Sequence, residues 1–93
     1  MLTPRLRAYV RRTFPTADVD AALVALEDRR VPSLDDPPPE RFLAAVVFLA
    51  EGRAEELVTG FELGETDYRD LLVAAGLGET WWPDVLDDRL GRS

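Results

Sequence analysis

The chain has 93 residues, the length of one small domain, and a formal net charge of −7, which disfavours nonspecific binding to nucleic acid or anionic membranes. The absence of cysteine excludes disulfide bonds and thiolate metal sites, and the absence of histidine removes the most common general base and metal ligand. Because hydrophobic residues make up 46% of the sequence, we expect the chain to fold around one modest core.

The first predicted helix begins at Thr3-Pro4, where a hydroxyl can cap free N–H groups and proline occupies the first helical position. It extends to about Thr13. At about 100° per residue, one side of this helix is apolar and the other side is basic. The apolar side consists of Leu6, Tyr9, Val10 and Phe14, and the basic side, the arginine face, consists of Arg5, Arg7, Arg11 and Arg12.

Two further helices are predicted on either side of a proline-rich linker. The second helix begins near Thr16 and ends near Arg29 and Arg30, and its apolar stripe is formed by Val19, Ala22, Leu23 and Leu26. Prolines predict a linker over residues 31–38, because they lack a backbone donor and favour extended conformations. The third helix, over about residues 39–51, is apolar on all sides, which predicts that it lies at the centre of the domain.

The remaining sequence predicts three shorter helices separated by glycines. They cover residues 53–61, 68–76 and 81–90. Gly52 favours the end of the third helix, and Gly60 weakens the end of the fourth. Residues 64–67 predict a turn and a cap before the fifth helix, and Pro83 fits the first turn of the sixth. No strand pattern competes with these helices. We therefore predict an all-α, compact single domain over residues 1–93, with five or six short helices packed around the central apolar helix.

Export and membrane insertion are not indicated by the sequence. Residues 1–22 alternate apolar and arginine side chains, without the continuous apolar segment of a secretory signal. The longest apolar run, residues 42–50, is much shorter than the roughly 20 residues that a membrane-spanning helix needs. We therefore expect a cytoplasmic protein that does not associate with membranes.

Carboxylate pairs are the remaining candidates for a metal site or for catalysis. Their spacings allow the members of each pair to share one helix face. The pairs are Glu51 with Glu55, Glu62 with Glu65, and Asp84 with Asp87 or Asp88. Two such pairs can hold Mg²⁺ when substrate phosphates supply other ligands, but the same spacings are common on solvated faces and no phosphate-binding loop accompanies them. We predict no catalytic activity and no cofactor, and keep a carboxylate-dependent Mg²⁺ enzyme as an alternative.

Residues 55–77 have the rhythm of a helix-turn-helix, in which the second helix enters the DNA major groove. That helix would present Glu65, Asp67 and Asp70 to the phosphates of DNA. Arg69 would be the one favourable charge, whereas DNA-binding surfaces need several. A helical hairpin that serves the core therefore explains the segment better. A nucleic-acid reader, or an acidic mimic of nucleic acid, stays open as an alternative function.

Arginine and tryptophan side chains are the candidates for contacts with a partner, because both residue types are enriched at binding hot spots. The arginine face can meet an acidic partner, a nucleic-acid backbone or a lipid headgroup, or it can pair with the chain's own carboxylates. The adjacent tryptophans point in different directions on a helix, so we expect at least one ring to be partly exposed. The candidate residues are Arg5, Arg7, Arg11, Arg12, Arg69, Trp81 and Trp82.

Four segments carry a recognisable pattern, which starts with an arginine-rich stretch ending in Phe-Pro. The segments are Arg11-Arg12-Thr13-Phe14-Pro15, Gly52 to Leu57, Thr66 to Leu77, and Trp82-Pro83. Together they resemble a group of small, all-helical bacterial proteins of unknown function. Because that group has no assigned activity, substrate or catalytic residue, the resemblance implies no function. It leaves two roles open for Arg69 and Asp70, a structural ion pair or a contact with a partner.

The sequence favours a small protein-interaction or regulatory module over an enzyme. This preference comes mainly from exclusion, since the chain lacks histidine, cysteine and a phosphate-binding loop. We expect the partner to be another protein and not nucleic acid, and the module to be a monomer or a homodimer.

Overall fold

The computed structural model describes residues 2–28 and 40–91, and these residues form six α-helices without any strand. The helices are α1 (Pro4–Thr13), α2 (Thr16–Asp28), α3 (Glu40–Ala50), α4 (Glu56–Thr66), α5 (Tyr68–Ala74) and α6 (Trp82–Leu90). The all-α prediction is confirmed. The predicted linker over residues 31–38, and the predicted end of the second helix at Arg29 and Arg30, lie outside the described residues.

Helix α3 is the centre of the fold. Its residues 42–48 are all buried, as is Ala50, and helices α1, α4 and α5 pack around it. The Cα radius of gyration is 12.0 Å, close to the value of about 13 Å expected for a compact domain of 100 residues. The predicted central position of this helix is confirmed. Within the described ranges, no helix has both the length and the apolar character that crossing a membrane requires.

Local signals set the start of α1 as predicted. The Thr3 hydroxyl oxygen accepts a hydrogen bond from the N–H of Leu6 at 3.3 Å, and Pro4 is the first helical residue. Leu6 and Val10 are completely buried, which confirms the predicted apolar side of this helix. The opposite side carries the arginine face.

The fourth helix is longer than predicted. Helix α4 continues through Gly60 and Gly64, where the sequence suggested a weakened end and a turn. Both glycines lie against α3, because a Cβ at Gly60 would be 3.1 Å from a methyl group of Val46, and one at Gly64 would be 2.5 Å from the Phe42 ring. Packing against α3 therefore outweighs the low helix propensity of glycine, about 1 kcal/mol per residue relative to alanine.

The turn between α3 and α4 accounts for the late start of the fourth helix, at Glu56 instead of residue 53. Glu51 and Gly52 adopt φ angles of 51° and 81°, a left-handed conformation that suits glycine and strains glutamate. Gly52 also lies against α1, since a Cβ there would be 2.6 Å from the carbonyl oxygen of Thr13. The predicted end of the third helix at Gly52 is confirmed, and residues 53–55 complete the turn instead of beginning a helix.

A single residue, Asp67, separates α4 from α5 and caps α5. Its Oδ1 accepts hydrogen bonds from the N–H groups of Arg69 at 3.1 Å and Asp70 at 3.2 Å. After α5, Gly76 has a φ of 80° and the N–H of Leu77 donates to the carbonyl of Leu72 at 2.8 Å, which is the hydrogen bond of a Schellman ending. The predicted cap and the predicted end of the fifth helix are therefore confirmed.

Candidate functional site

Arg5 is the arginine of α1 that forms ion pairs with two other helices. Its guanidinium forms an ion pair with Glu40 on α3 at 2.6 Å and another with Asp87 on α6 at 2.7 Å. The Thr3 hydroxyl donates to the same Glu40 carboxylate, and Arg5 Nη1 donates to the carbonyl of Gly91 at 3.2 Å. Arg5 therefore connects the start of α1 to α3 and α6.

The contact between Arg5 and Glu40 shifts the pKa of both side chains. Hydrogen bonds to Glu40 and then to Asp87 raise the pKa of Arg5 above its ordinary value. The hydrogen bond from Arg5, assisted by the one from Thr3, lowers the pKa of Glu40 below its ordinary value of 4.5, although burial acts in the opposite direction. Both groups are charged at neutral pH, so this end of the arginine face is engaged within the fold.

Arg7 and Arg11 lie farther along the arginine face and closer to solvent. Arg7 forms an ion pair with Glu27 of α2, in which the two side chains are 35% and 43% exposed. Exposed pairs of this kind contribute roughly 0 to 1 kcal/mol. Arg11 is exposed, and no carboxylate of the described residues lies within ion-pair distance of it.

An arginine–aromatic cluster of Tyr9, Arg12, Phe48 and Arg89 lies where α1, α3 and α6 meet. The guanidinium carbon of Arg89 is 4.0 Å from the centroid of the Phe48 ring, and its Nη2 donates to the Tyr9 hydroxyl at 3.2 Å. The guanidinium carbon of Arg12 is 5.7 Å from the centroid of the Tyr9 ring. Tyr9 and Phe48 themselves meet edge to face, with centroids 5.4 Å apart. Two exposed cations are therefore held against two aromatic rings.

The cations of this cluster lack carboxylate partners in the described part of the chain. The ion pairs found there join Arg5 and Arg7 to their partners, and none includes Arg12 or Arg89, although Asp88 is adjacent to Arg89 in sequence. Cation–π contacts at exposed sites contribute about 0.5–1 kcal/mol and leave N–H groups of a guanidinium available. Arg12 uses Nη2 to donate to the carbonyl of Arg89 at 3.5 Å, which leaves its other N–H groups for a ligand. In a chain with a net charge of −7, such unpaired cations form a candidate binding site for an acidic group.

The two tryptophans differ in exposure, as expected for adjacent helical residues. Trp81 is 57% exposed, whereas Trp82 is half-buried and its ring centroid is 4.6 Å from the guanidinium carbon of Arg41. Arg41 also donates from Nε and Nη2 to the carbonyl of Leu77, at 3.1 and 2.6 Å. Arg41 was not among the residues predicted from the sequence. Its position at the start of an otherwise apolar helix was the available signal, because a partly buried guanidinium needs acceptors.

Arg69 lies on the exposed side of α5, with no carboxylate of the described residues within ion-pair distance. Asp70 follows it in sequence and is also exposed, and its carboxylate does not contact Arg69. The sequence left two roles open for Arg69 and Asp70, a structural ion pair or a contact with a partner. The structure shows no ion pair between them.

Two of the carboxylate pairs, Glu51 with Glu55 and Asp84 with Asp87, are arranged less favourably than their spacing suggested. Glu51 lies in the turn after α3 and Glu55 precedes α4, so these two do not share a helix face. Asp87 is engaged with Arg5. Within residues 2–28 and 40–91, no three acidic side chains are grouped closely enough to hold a metal ion.

Helices α4 and α5 also lack the spacing of a helix-turn-helix. Asp67 alone separates them, whereas that motif has a turn of about 3–4 residues. The exposed side of α5 carries one positive charge, Arg69, beside the negative charges of Asp67 and Asp70. This arrangement disfavours contact with a phosphate backbone.

A shallow apolar groove of about 280 Å³ lies between α2 and α4. It is lined by Ala25, Asp28, Ala54, Leu57, Val58 and Phe61. Asp28 is the one charged group that the described residues contribute to this lining, so their part of the groove offers little directional recognition. The arginine–aromatic cluster is chemically more specific.

No protein-family model, curated protein or solved structure matches this chain. Its function is therefore inferred from its own contacts and charges. The resemblance of the four sequence segments to small bacterial proteins remains a prediction.

Proposed function

We propose that this protein is a small cytoplasmic interaction module that binds an acidic segment of a partner protein through its arginine–aromatic cluster. The observation that supports this proposal is the position of Arg89, whose guanidinium stacks at 4.0 Å on Phe48 and bonds to the Tyr9 hydroxyl without a carboxylate partner in the described residues. Arg12, on the adjacent Tyr9 ring, and Arg11, in the same last turn of α1, extend the positive charge.

Carboxylates are the chemical groups that this arrangement suits best. A guanidinium binds a carboxylate through two parallel charge-assisted hydrogen bonds, and its planar shape fixes their direction. Because Arg89 is already held by Phe48 and Tyr9, it has less conformational freedom to lose on binding than a fully solvated arginine has. The N–H donors of the cluster are therefore already positioned for the carboxylate oxygens of a partner with two or three neighbouring acidic side chains.

A protein partner is favoured over nucleic acid by the extent of the positive surface. A nucleic-acid backbone is bound by several cations that follow its length. The cluster with Arg11 offers three arginines on a chain whose formal net charge is −7, so the attraction is local. It matches a short acidic segment and not an extended polyanion.

The proposal is tested by comparing protein capture from the native cell lysate with wild-type protein and with an Arg12→Gln/Arg89→Gln variant. Lysates are treated with nuclease first, so that retention does not depend on nucleic acid, and bound proteins are quantified by mass spectrometry. The matched control is Arg7→Gln/Arg53→Gln, which has the same net charge but leaves the cluster intact. We expect one stoichiometric partner to be retained by wild type and control, and to be reduced about tenfold or more by the cluster variant.

Two results would overturn this function. In the first, no protein is retained specifically at low salt. In the second, the cluster variant and the Arg7→Gln/Arg53→Gln control lose the partner to the same extent, which would attribute binding to net charge alone. Circular dichroism of both variants confirms that each remains folded before capture is compared.

A further inference from the structure

A second surface feature lies at the other end of α3 from Phe48. It is a cleft of about 290 Å³ between the start of α3, helix α5 and the loop after α5. The cleft is lined by Arg41, Tyr68, Arg69, Leu72, Val73 and Gly78. Ligand pockets occupy roughly 300–1,000 Å³, so this cleft is of a size for a small ligand or for one end of a chain.

Arg41 is held in a fixed orientation at this cleft. Its Nε and Nη2 both donate to the Leu77 carbonyl, and one face of its guanidinium lies against the Trp82 ring at 4.6 Å. A guanidinium has five N–H donors, so Nη1 and the second hydrogen of Nη2 are left without an acceptor in the described residues. These donors lie on one edge, the geometry that binds a carboxylate through two oxygens.

Two further polar groups of the lining are without partners in the described part of the chain. Arg69 forms no ion pair there, and the Tyr68 hydroxyl, whose ring packs at 5.6 Å from that of Phe42, forms no hydrogen bond there. Asp70 and Glu79 are near in sequence but do not line the cleft. Among the described residues, the lining therefore has two cations and a hydroxyl but no carboxylate.

We infer that this cleft binds a carboxylate carried on a small apolar group, with Arg41 and Arg69 as its cationic ligands. Leu72 and Val73 provide the apolar part of the lining, and Val73 is 69% exposed. Burial of this apolar side chain against the tail of an organic acid is favourable, whereas an inorganic anion has no apolar surface to bury against it. The ligand is either a free short-chain acid or the C-terminal carboxylate of a peptide that ends in an apolar residue.

The test is an NMR titration of the ¹⁵N-labelled protein with hexanoate, hexanol and inorganic phosphate at constant ionic strength. We expect hexanoate to shift the amide signals of Leu72, Val73 and Gly78 saturably, and hexanol and phosphate to shift them far less. Arg69→Gln, a surface change, is expected to weaken hexanoate binding about tenfold. Arg53→Gln, beyond the other end of α3, serves as the matched control and should bind as wild type does.

A second arm distinguishes the two sources of the carboxylate. A short peptide ending in leucine is compared with the same peptide carrying a C-terminal amide. Binding of the free-acid peptide more tightly than hexanoate identifies a peptide terminus, and the reverse order identifies a small acid; either order supports the site. The inference is overturned if hexanoate produces no saturable shift at the cleft, if hexanol or phosphate binds equally well, or if Arg53→Gln weakens binding as much as Arg69→Gln.

Discussion

Helix α4 packs on α3 through two glycines and apolar side chains, whereas α6 buries Leu86 and Leu90 in the core and also contacts α1 and α3 through arginines. At the first contact, Gly60 and Gly64 allow the backbone of α4 to approach Val46 and Phe42 closely. At the second, Arg5 bonds to Asp87 and Arg89 covers Phe48. The first contact depends on shape and should respond to added volume, and the polar part of the second depends on charge and should respond to charge removal.

Two arginines of α1, Arg5 and Arg12, have different roles. Arg5 has two carboxylate partners and its side chain is 17% exposed, so its charge is compensated inside the fold. Arg12 lies two turns later, is exposed and stacks on Tyr9 without a carboxylate partner in the described residues. An arginine face defined by sequence can therefore combine a structural role at one end with an available cation at the other.

The largest effect is expected from added volume at the α3–α4 contact. Gly64→Ala places a Cβ within 2.5 Å of the Phe42 ring, which is completely buried and cannot move without repacking. We expect a loss of about 2–3 kcal/mol in the free energy of unfolding, measured by urea denaturation, although alanine is the better helix former. Thr59→Ala, at an exposed position of α4, is the control and should change stability by at most about 0.5 kcal/mol. A Gly64→Ala variant as stable as wild type would contradict the close approach.

The next largest effect is expected from removing the structural arginine. Arg5→Gln leaves Glu40 half-buried, with the Thr3 hydroxyl as its remaining donor among the described residues, and also removes the ion pair between Arg5 and Asp87. Because hydrogen bonds to charged groups contribute about 1.5–3 kcal/mol, we expect a loss of about 2 kcal/mol in the same urea experiment. Arg7→Gln breaks an exposed ion pair of the same helix and should cost less than about 1 kcal/mol. Equal losses in the two variants would show that the ion pairs of Arg5 stabilise the fold no more than the exposed ion pair of Arg7 does.

The sequence predicted those features that depend on neighbouring residues. The Thr3-Pro4 start of α1, the Asp67 cap and the Gly76 ending of α5 are each specified within one helical turn. The continuation of α4 through its two glycines was not predicted, because the compensating contact with Phe42 comes from another helix.

The same distinction applies to the candidate site. The arginine face of α1 follows from helical periodicity, but which of its arginines finds a carboxylate depends on distant residues. Arg5 and Asp87 are 82 positions apart, and Arg89 and Tyr9 are 80 apart. Nor does any local pattern indicate that Arg41 reaches the carbonyl of Leu77, 36 residues away.

A pH titration should separate the ion pair between α1 and α3, formed by Arg5 and Glu40, from the glycine contact between α3 and α4. Because the pKa of Glu40 is lower in the folded protein than its ordinary value of 4.5, its contribution to stability is complete above that value and is lost as the pH falls through the folded-state pKa. We expect wild type to exceed Glu40→Gln in stability by about 1–2 kcal/mol at pH 7, and this difference to shrink below pH 4.5. The difference between wild type and Gly64→Ala should stay constant over the same range. If the free energies of unfolding of wild type and Glu40→Gln changed in parallel with pH, the ion pair between Arg5 and Glu40 would be contradicted.

The smallest effect on stability is expected at Arg89, and its small size bears on function. Arg89→Gln removes one exposed cation–π contact and one hydrogen bond to Tyr9, so the free energy of unfolding should fall by only about 0.5–1 kcal/mol. Arg89→Lys keeps the charge but loses the planar stacking, and should fall between wild type and Arg89→Gln. Such a small loss, at a residue held in place by two aromatic side chains, would support the proposed role of Arg89 in binding a partner. If Arg89→Gln instead cost as much as Arg5→Gln, the cluster would be a structural element like the Arg5 contact, and the proposed binding of an acidic segment would lose its basis.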